Sequence, residues 1–180
     1  MRVLLAIAIL FASPAVAGET DVETQLEKTR LFLDSRIGAK FPDAAIRSLG
    51  PTGPKTLSPL THNGLLVVYV NSPCPWAVKA AETMNERDWI WNDTPVVFVL
   101  RKWRKTYRRE YLSDLPEGTP VYQLKRSPPP AWLADVNTAP ALFLLGSNMT
   151  VLDWSLKVPD DNHAVSMTSR LGSRLERPSN

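Results

Sequence analysis

One cysteine, Cys74, and two histidines, His62 and His163, are the only thiol and imidazole side chains that this 180-residue chain contains. A single thiol excludes an intrachain disulfide, a cysteine-rich zinc site and an iron–sulfur cluster held by one copy of the chain. The histidines stand far apart and neither has a ligand-spaced neighbour, so both read as surface side chains and no metal is expected. There is no phosphate-cradling glycine loop and no Ser–His–Asp nucleophile motif, so no cofactor is expected either. Charge of one sign is also scarce: the formal net charge is +3, with 22% charged and 44% apolar residues. That balance belongs to a globule with one core of ordinary domain size, not to a disordered, collagenous or strongly polyelectrolyte chain.

Long apolar runs are missing too. The longest, within residues 1–17 (MRVLLAIAILFASPAVA), is too short for the roughly 20 residues a membrane helix needs, so no integral membrane protein is expected. Arg2, the apolar stretch from Val3 to Ala12, the break at Ser13-Pro14 and the small-x-small ending Ala15-Val16-Ala17 have the form of a cleavable export signal. The short basic start and alanine-rich end resemble bacterial leaders and point to the periplasm. Two Asn-x-Thr triplets, at Asn92 and Asn148, matter only in a eukaryotic secretory pathway.

After the leader, Val22, Leu26, Phe32 and Leu33 recur at helical spacing among charged residues, which predicts an amphipathic helix and an N-terminal helical extension over 18–40. Residues 65–70 (LLVVYV) form a β-branched apolar run that predicts a buried strand. It stops at Asn71-Ser72-Pro73-Cys74-Pro75, where Pro75 suits the first turn of a helix running from 76 to about 89. Strands are predicted at 96–100, 121–124 and 141–145, with 151–156 returning as a hairpin partner after Gly146-Ser147-Asn148. Pro128-Pro129-Pro130 reads as a rigid connector, and 160–175 as a closing helix capped by Asp160 or Asp161. Strands alternating with helices predict a central mixed sheet with helices on both faces, in which chemistry sits where a strand's carboxyl end leads into a helix. Cys74 lies at such a junction.

This order resembles the thioredoxin superfamily, in particular its exported TlpA-like and redoxin-like branch. The strand 67–70, the loop Cys74-Pro75-Trp76-Ala77, the turn Thr138-Ala139-Pro140 and the hairpin after it correspond to the family's strand, Cys-x-x-Cys loop, cis-proline turn and hairpin. Phe41-Pro42-Asp43 and Leu57-Ser58 with Leu60 resemble the family's opening segment. The resemblance implies a three-layer α/β/α thioredoxin-like domain over 41–180. It also implies a site of Cys74 as the reacting residue, with Pro75, Trp76, Ala77, Thr138, Ala139 and Pro140 meeting the partner. Ala77 stands where the family has its resolving cysteine, so a dithiol–disulfide cycle cannot form within the loop. Pro73, Val78 and Glu82 also depart from the family's usual residues. A peroxiredoxin motif is not met, because Val67 and Asn71 stand where its proline and threonine belong.

A thiol at a helix N-terminus is favoured as thiolate, which attacks disulfides or is oxidised. The first functional expectation is therefore an exported single-cysteine thiol protein, a thiol-disulfide oxidoreductase without the resolving cysteine, whose partners are periplasmic protein thiols, disulfides or small thiols. The alternative is a non-catalytic binding or assembly module, with Cys74 merely filling space. Arg101, Lys102, Arg104, Lys105, Arg108 and Arg109 concentrate cations around Trp103 and Tyr107. Export argues against nucleic acid as their partner, leaving a solvated face or an acidic partner. Processing after Ala17 should leave a chain that begins at Gly18; the intact mass of protein from the secretory compartment checks this, and retention of residues 1–17 would refute an exported, cleaved form.

Overall fold

The structure, a computed structural model, describes residues 19–50, 52–71, 75–86, 91, 94–101, 112–125, 129–136 and 140–175, without the side chains of 19–21, 131 and 172–175. Its elements are α1 (Glu19–Asp34), β1 (Ile46–Ser48), β2 (Leu65–Val70), α2 (Pro75–Glu86), β3 (Val96–Leu100), β4 (Val121–Leu124), β5 (Ala141–Leu145), β6 (Val151–Ser155) and α3 (Asp161–Leu175). Two short 3-10 helices, Ser58–Leu60 and Ala131–Asp135, complete the described elements.

The six strands form one mixed sheet in the order β1-β4-β3-β2-β5-β6. β2 runs parallel to β3, and β3 to β4, whereas β5 is antiparallel to β2 and to β6, and β1 to β4. A parallel neighbour requires a crossover, and α2 lies between β2 and β3. All six residues of β2 are buried, because a strand covered on both faces has no solvent side and so reads as a continuous apolar run.

Successive side chains of β2 enter different cores. Leu66, Val68 and Val70 pack with Ala77, Ala81 and Met84 of α2 and with Ala164, Met167 and Leu171 of α3. Leu65, Val67 and Tyr69 enter the opposite layer with Leu33, Phe41, Ile46, Leu57, Leu133, Val136 and Phe143. α2 buries Ala77, Ala80, Ala81 and Met84, the i, i+3, i+4, i+7 stripe of a helix lying on a sheet. On the second face the described cover is the end of α1, the two 3-10 helices and the loops between them. There Phe41, Trp132 and Phe143 meet as a ring cluster, with centroids 5.2–5.5 Å apart. The Arg36 guanidinium lies 4.6 Å from the Phe32 centroid beside it. The Asp43 carboxylate accepts from the N–H groups of Leu57 and Ser58, both at 3.0 Å, which joins the two parts of the opening segment.

Of the two acids named as caps for the closing helix, Asp160 takes the role, its carboxylate accepting from the His163 N–H at 2.9 Å. His62 is exposed and His163 half-buried. The β5–β6 turn places its left-handed residue at Met149 (φ 65°), not at the glycine or asparagine before it. Burial of that side chain, a Met149 N–H bond to Gly146 and a Phe41 N–H bond to the Met149 carbonyl hold it there. β1 and the two 3-10 helices are elements that no sequence pattern announced.

Gly64 leads into β2 at φ +87°, and a Cβ there would stand 2.5 Å from Leu171 Cδ2 and 3.2 Å from the Leu145 carbonyl oxygen. Gly64→Ala combines a left-handed backbone penalty of about 1–2 kcal/mol with overpacking of about 1–3 kcal/mol. Denaturant unfolding should show a loss of roughly 2–5 kcal/mol relative to the wild-type chain; an unchanged midpoint would contradict the close α3 contact.

Candidate functional site

Sheet register brings the end of β2 beside the start of β5, two segments distant in sequence. Tyr69, next to the last residue of β2, pairs with Ala141, the first residue of β5. The carboxyl end of β2 therefore lies beside the chain that enters β5 through Pro140. The Asn71 side-chain amide donates to the Val136 carbonyl at 3.1 Å, tying the residue after β2 to the segment after the second 3-10 helix. α2 then starts at Pro75, whose missing N–H and fixed φ suit a first helical position.

Four of the residues singled out from the sequence lie in described structure. Pro75 and Trp76 are exposed, Trp76 with 66% of its surface in solvent, whereas Ala77 is fully buried in the first core. Pro140 is buried. Cys74, Thr138 and Ala139 lie outside the described residues, as does the basic stretch from Lys102 to Arg109. Arg101, its first member, is half-buried, and its N–H donates to the Val70 carbonyl at 2.8 Å.

The structure brings Trp76 and Pro140 together in one groove of about 480 Å³, with Lys79, Thr83, Leu156, Lys157 and Val158. Sequence reasoning missed these last five. A signal existed for two of them: Trp76, Lys79 and Thr83 follow i, i+3, i+7 spacing and share a helix face. Leu156, Lys157 and Val158 reach the groove only because β6 lies next to β5. Their backbone is held by Ser155, whose buried hydroxyl donates to the Lys157 carbonyl at 2.7 Å. The Lys79 ammonium stands 5.9 Å from the Trp76 ring centroid. Among the described residues no three His, Cys, Asp or Glu side chains come together as a metal-ligand group, and no helix is long and apolar enough to cross a membrane.

Behind the junction, burial pushes the Tyr69 hydroxyl up to about 12, against an opposite pull from the Arg101 charge. The hydroxyl makes a long contact, 3.5 Å, to the Leu133 carbonyl. A tyrosine titrating near 10 when unfolded and higher when folded stabilises the fold in full below about pH 10, and that contribution is lost as pH rises through the folded value. Stability should therefore fall more steeply between about pH 10 and 12 in the wild-type chain than in Tyr69→Phe. Alkaline unfolding curves of the two proteins check this, and parallel curves would contradict it.

The sequence matches no protein-family profile, and no curated protein is similar to it. Solved structures do match. A protein from Chlorobium tepidum assigned as a thiol:disulfide interchange protein, DsbE, superposes with a TM-score of 0.59 at 22% identity, over 77% of this chain and 96% of its own. A thioredoxin-like protein from Bacteroides caccae gives 0.58 at 21% identity, over 92% of this chain but only 58% of that longer protein. The thioredoxin domain of a thiol-disulfide oxidoreductase from Bacteroides vulgatus gives 0.56 at 13% identity, over 78% of this chain and 98% of its own. The mixed six-stranded sheet, the helix α2 that follows β2 and these superpositions together show that this chain has a thioredoxin-like α/β fold.

Proposed function

We propose that the chain is an exported thioredoxin-like thiol protein that reacts with protein disulfides, small thiols or oxidants through Cys74. One observation carries the reading: the only thiol of the chain directly precedes in sequence the first residue of α2, and the register sets Tyr69, near the end of the fully buried β2, beside Ala141, which Pro140 precedes. A helix start supplies unpaired N–H groups and the positive end of the dipole, which favour a thiolate over a thiol. In the reaction with a disulfide R–S–S–R′, the Cys74 sulfur forms a new bond to one sulfur while the R–S–S–R′ bond breaks and the other sulfur leaves as a thiolate. No net oxidation occurs. Ala77 cannot supply the second thiol that would expel the bound partner, so release takes an external thiol. Thr138, Ala139 and Pro140 are the residues proposed to dock the partner beside Pro75 and Trp76, and the leader over 1–17 supports a periplasmic setting.

A second reading rests on Ala77 itself. A buried apolar residue in place of a resolving cysteine also suits a binding or assembly module that has no redox turnover. The two readings part on the sulfur. Acid-quenched extracts of the producing cell, run without reductant, should show high-mass or glutathione adducts that vanish with dithiothreitol and are absent from Cys74→Ser. A binding module instead gives equal partner recovery from wild type and Cys74→Ser, with loss on altering Trp76. An adduct profile unchanged by Cys74→Ser would refute the thiol reading.

A further inference from the structure

We infer that the groove beside Trp76 selects polypeptide segments that place a carboxylate next to an apolar side chain. The inference deepens and rests on the reading above, because it names what the face at the start of α2 accepts. Among the described residues, four apolar groups line the groove: the Trp76 indole, Pro140, Leu156 and Val158. Trp76 leaves 66% of its surface in water on a helix whose other large apolar residues are buried or half-buried. An exposed tryptophan at the lip of an apolar groove is the kind of side chain that carries binding energy in interfaces, since it gives much contact area for little lost freedom.

Charge decides which segments fit. Lys79 from α2 and Lys157 from the turn after β6 both line the groove, both are exposed, and among the described residues no acidic side chain lines it. The neighbouring acids along the chain, Glu82 on α2 and Asp160 before α3, are not among the lining residues. The lysines approach from separate elements, one of them fixed at its backbone by Ser155. Two cations around an apolar floor favour a partner that brings its own carboxylate and disfavour a lysine-rich one. The volume, about 480 Å³, exceeds what a simple anion fills and lies within the roughly 300–1,000 Å³ of sites that enclose small organic groups. Glutathione offers two carboxylates but no apolar side chain for Trp76, Leu156 and Val158, so a polypeptide segment is the occupant the lining matches.

The test uses the Cys74→Ser chain, so that binding is read without thiol chemistry. Calorimetric titration compares acetylated, amidated peptides of the form Gly-Phe-Ser-Glu-Gly with versions carrying Lys for Glu or Gly for Phe, and with S-methylglutathione. At low salt the Phe-Ser-Glu peptide should bind about tenfold or more tighter than its Lys version, a gap that narrows in 0.5 M salt as exposed charges are screened. Lys79→Glu with Lys157→Glu should reverse that ranking, and Lys79→Gln with Lys157→Gln should flatten it; both positions are exposed, so circular dichroism should show the fold intact. Trp76→Ala should remove the preference for Phe over Gly. The inference is overturned if no peptide binds, if the ranking ignores charge or survives both double variants, or if S-methylglutathione binds as tightly as the Phe-Ser-Glu peptide. Failure of Cys74 to form adducts in the wild-type chain would end the thiol reading and leave this result standing.

Discussion

Burial of β2 on both faces is the constraint on which the rest of the molecule depends. A six-residue strand with every side chain out of water needs a full layer on each side, and its alternation assigns three residues to each layer. It also leaves no freedom in register, because a one-residue slip would move Leu66, Val68 and Val70 out of the layer of α2 and α3. The pairing of Tyr69 with Ala141 follows from that register. So does the meeting of the strand–helix junction with Pro140.

The two layers contribute differently. To the face they share, α2 and α3 contribute small and flexible residues, Ala77, Ala81, Met84, Ala164 and Met167, together with Leu171. The opposite face relies on rings, with Phe41, Trp132 and Phe143 in mutual contact and Tyr69 buried near them. That ring cluster seats the second 3-10 helix, and Val136 at its end receives the Asn71 hydrogen bond. The aromatic layer thus positions Val136, where the loop before β5 begins, while the helical layer positions the start of α2, where the loop after β2 ends.

At the groove between these loops, the chemistry comes from what is left exposed. Trp76 and Lys79 stand on the solvent side of a helix whose inner stripe is consumed by packing, and Lys157 stands on a turn held by a buried serine. None of them is needed by the core, so their presence at one place is free to serve recognition. Ala77 shows the reverse: a position that would carry a second sulfur is committed to the core, which limits any covalent chemistry to one sulfur per chain.

The strands at 65–70, 96–100, 121–124, 141–145 and 151–155 and the three helices were legible because each carries a local signature: a β-branched apolar run, a helical stripe, Pro75 at a helix start, Asp160 at a cap. The thioredoxin-like order of those elements followed from them. The three-residue strand β1 was not legible, since Ile46, Arg47 and Ser48 have no period and are extended only by pairing with β4. Nor was the left-handed Met149, whose conformation is held by burial and by the bond from Phe41. Within the site, Trp76, Ala77 and Pro140 could be named from their neighbours in sequence, and Trp76 and Pro140 share a groove. The sequence by itself determined the longer strands, the three helices and the isolation of the single thiol. Only the tertiary structure decided that Lys79 and Lys157 face one apolar groove, because side chains 78 positions apart meet through the β2–β5–β6 register and not through any pattern along the chain.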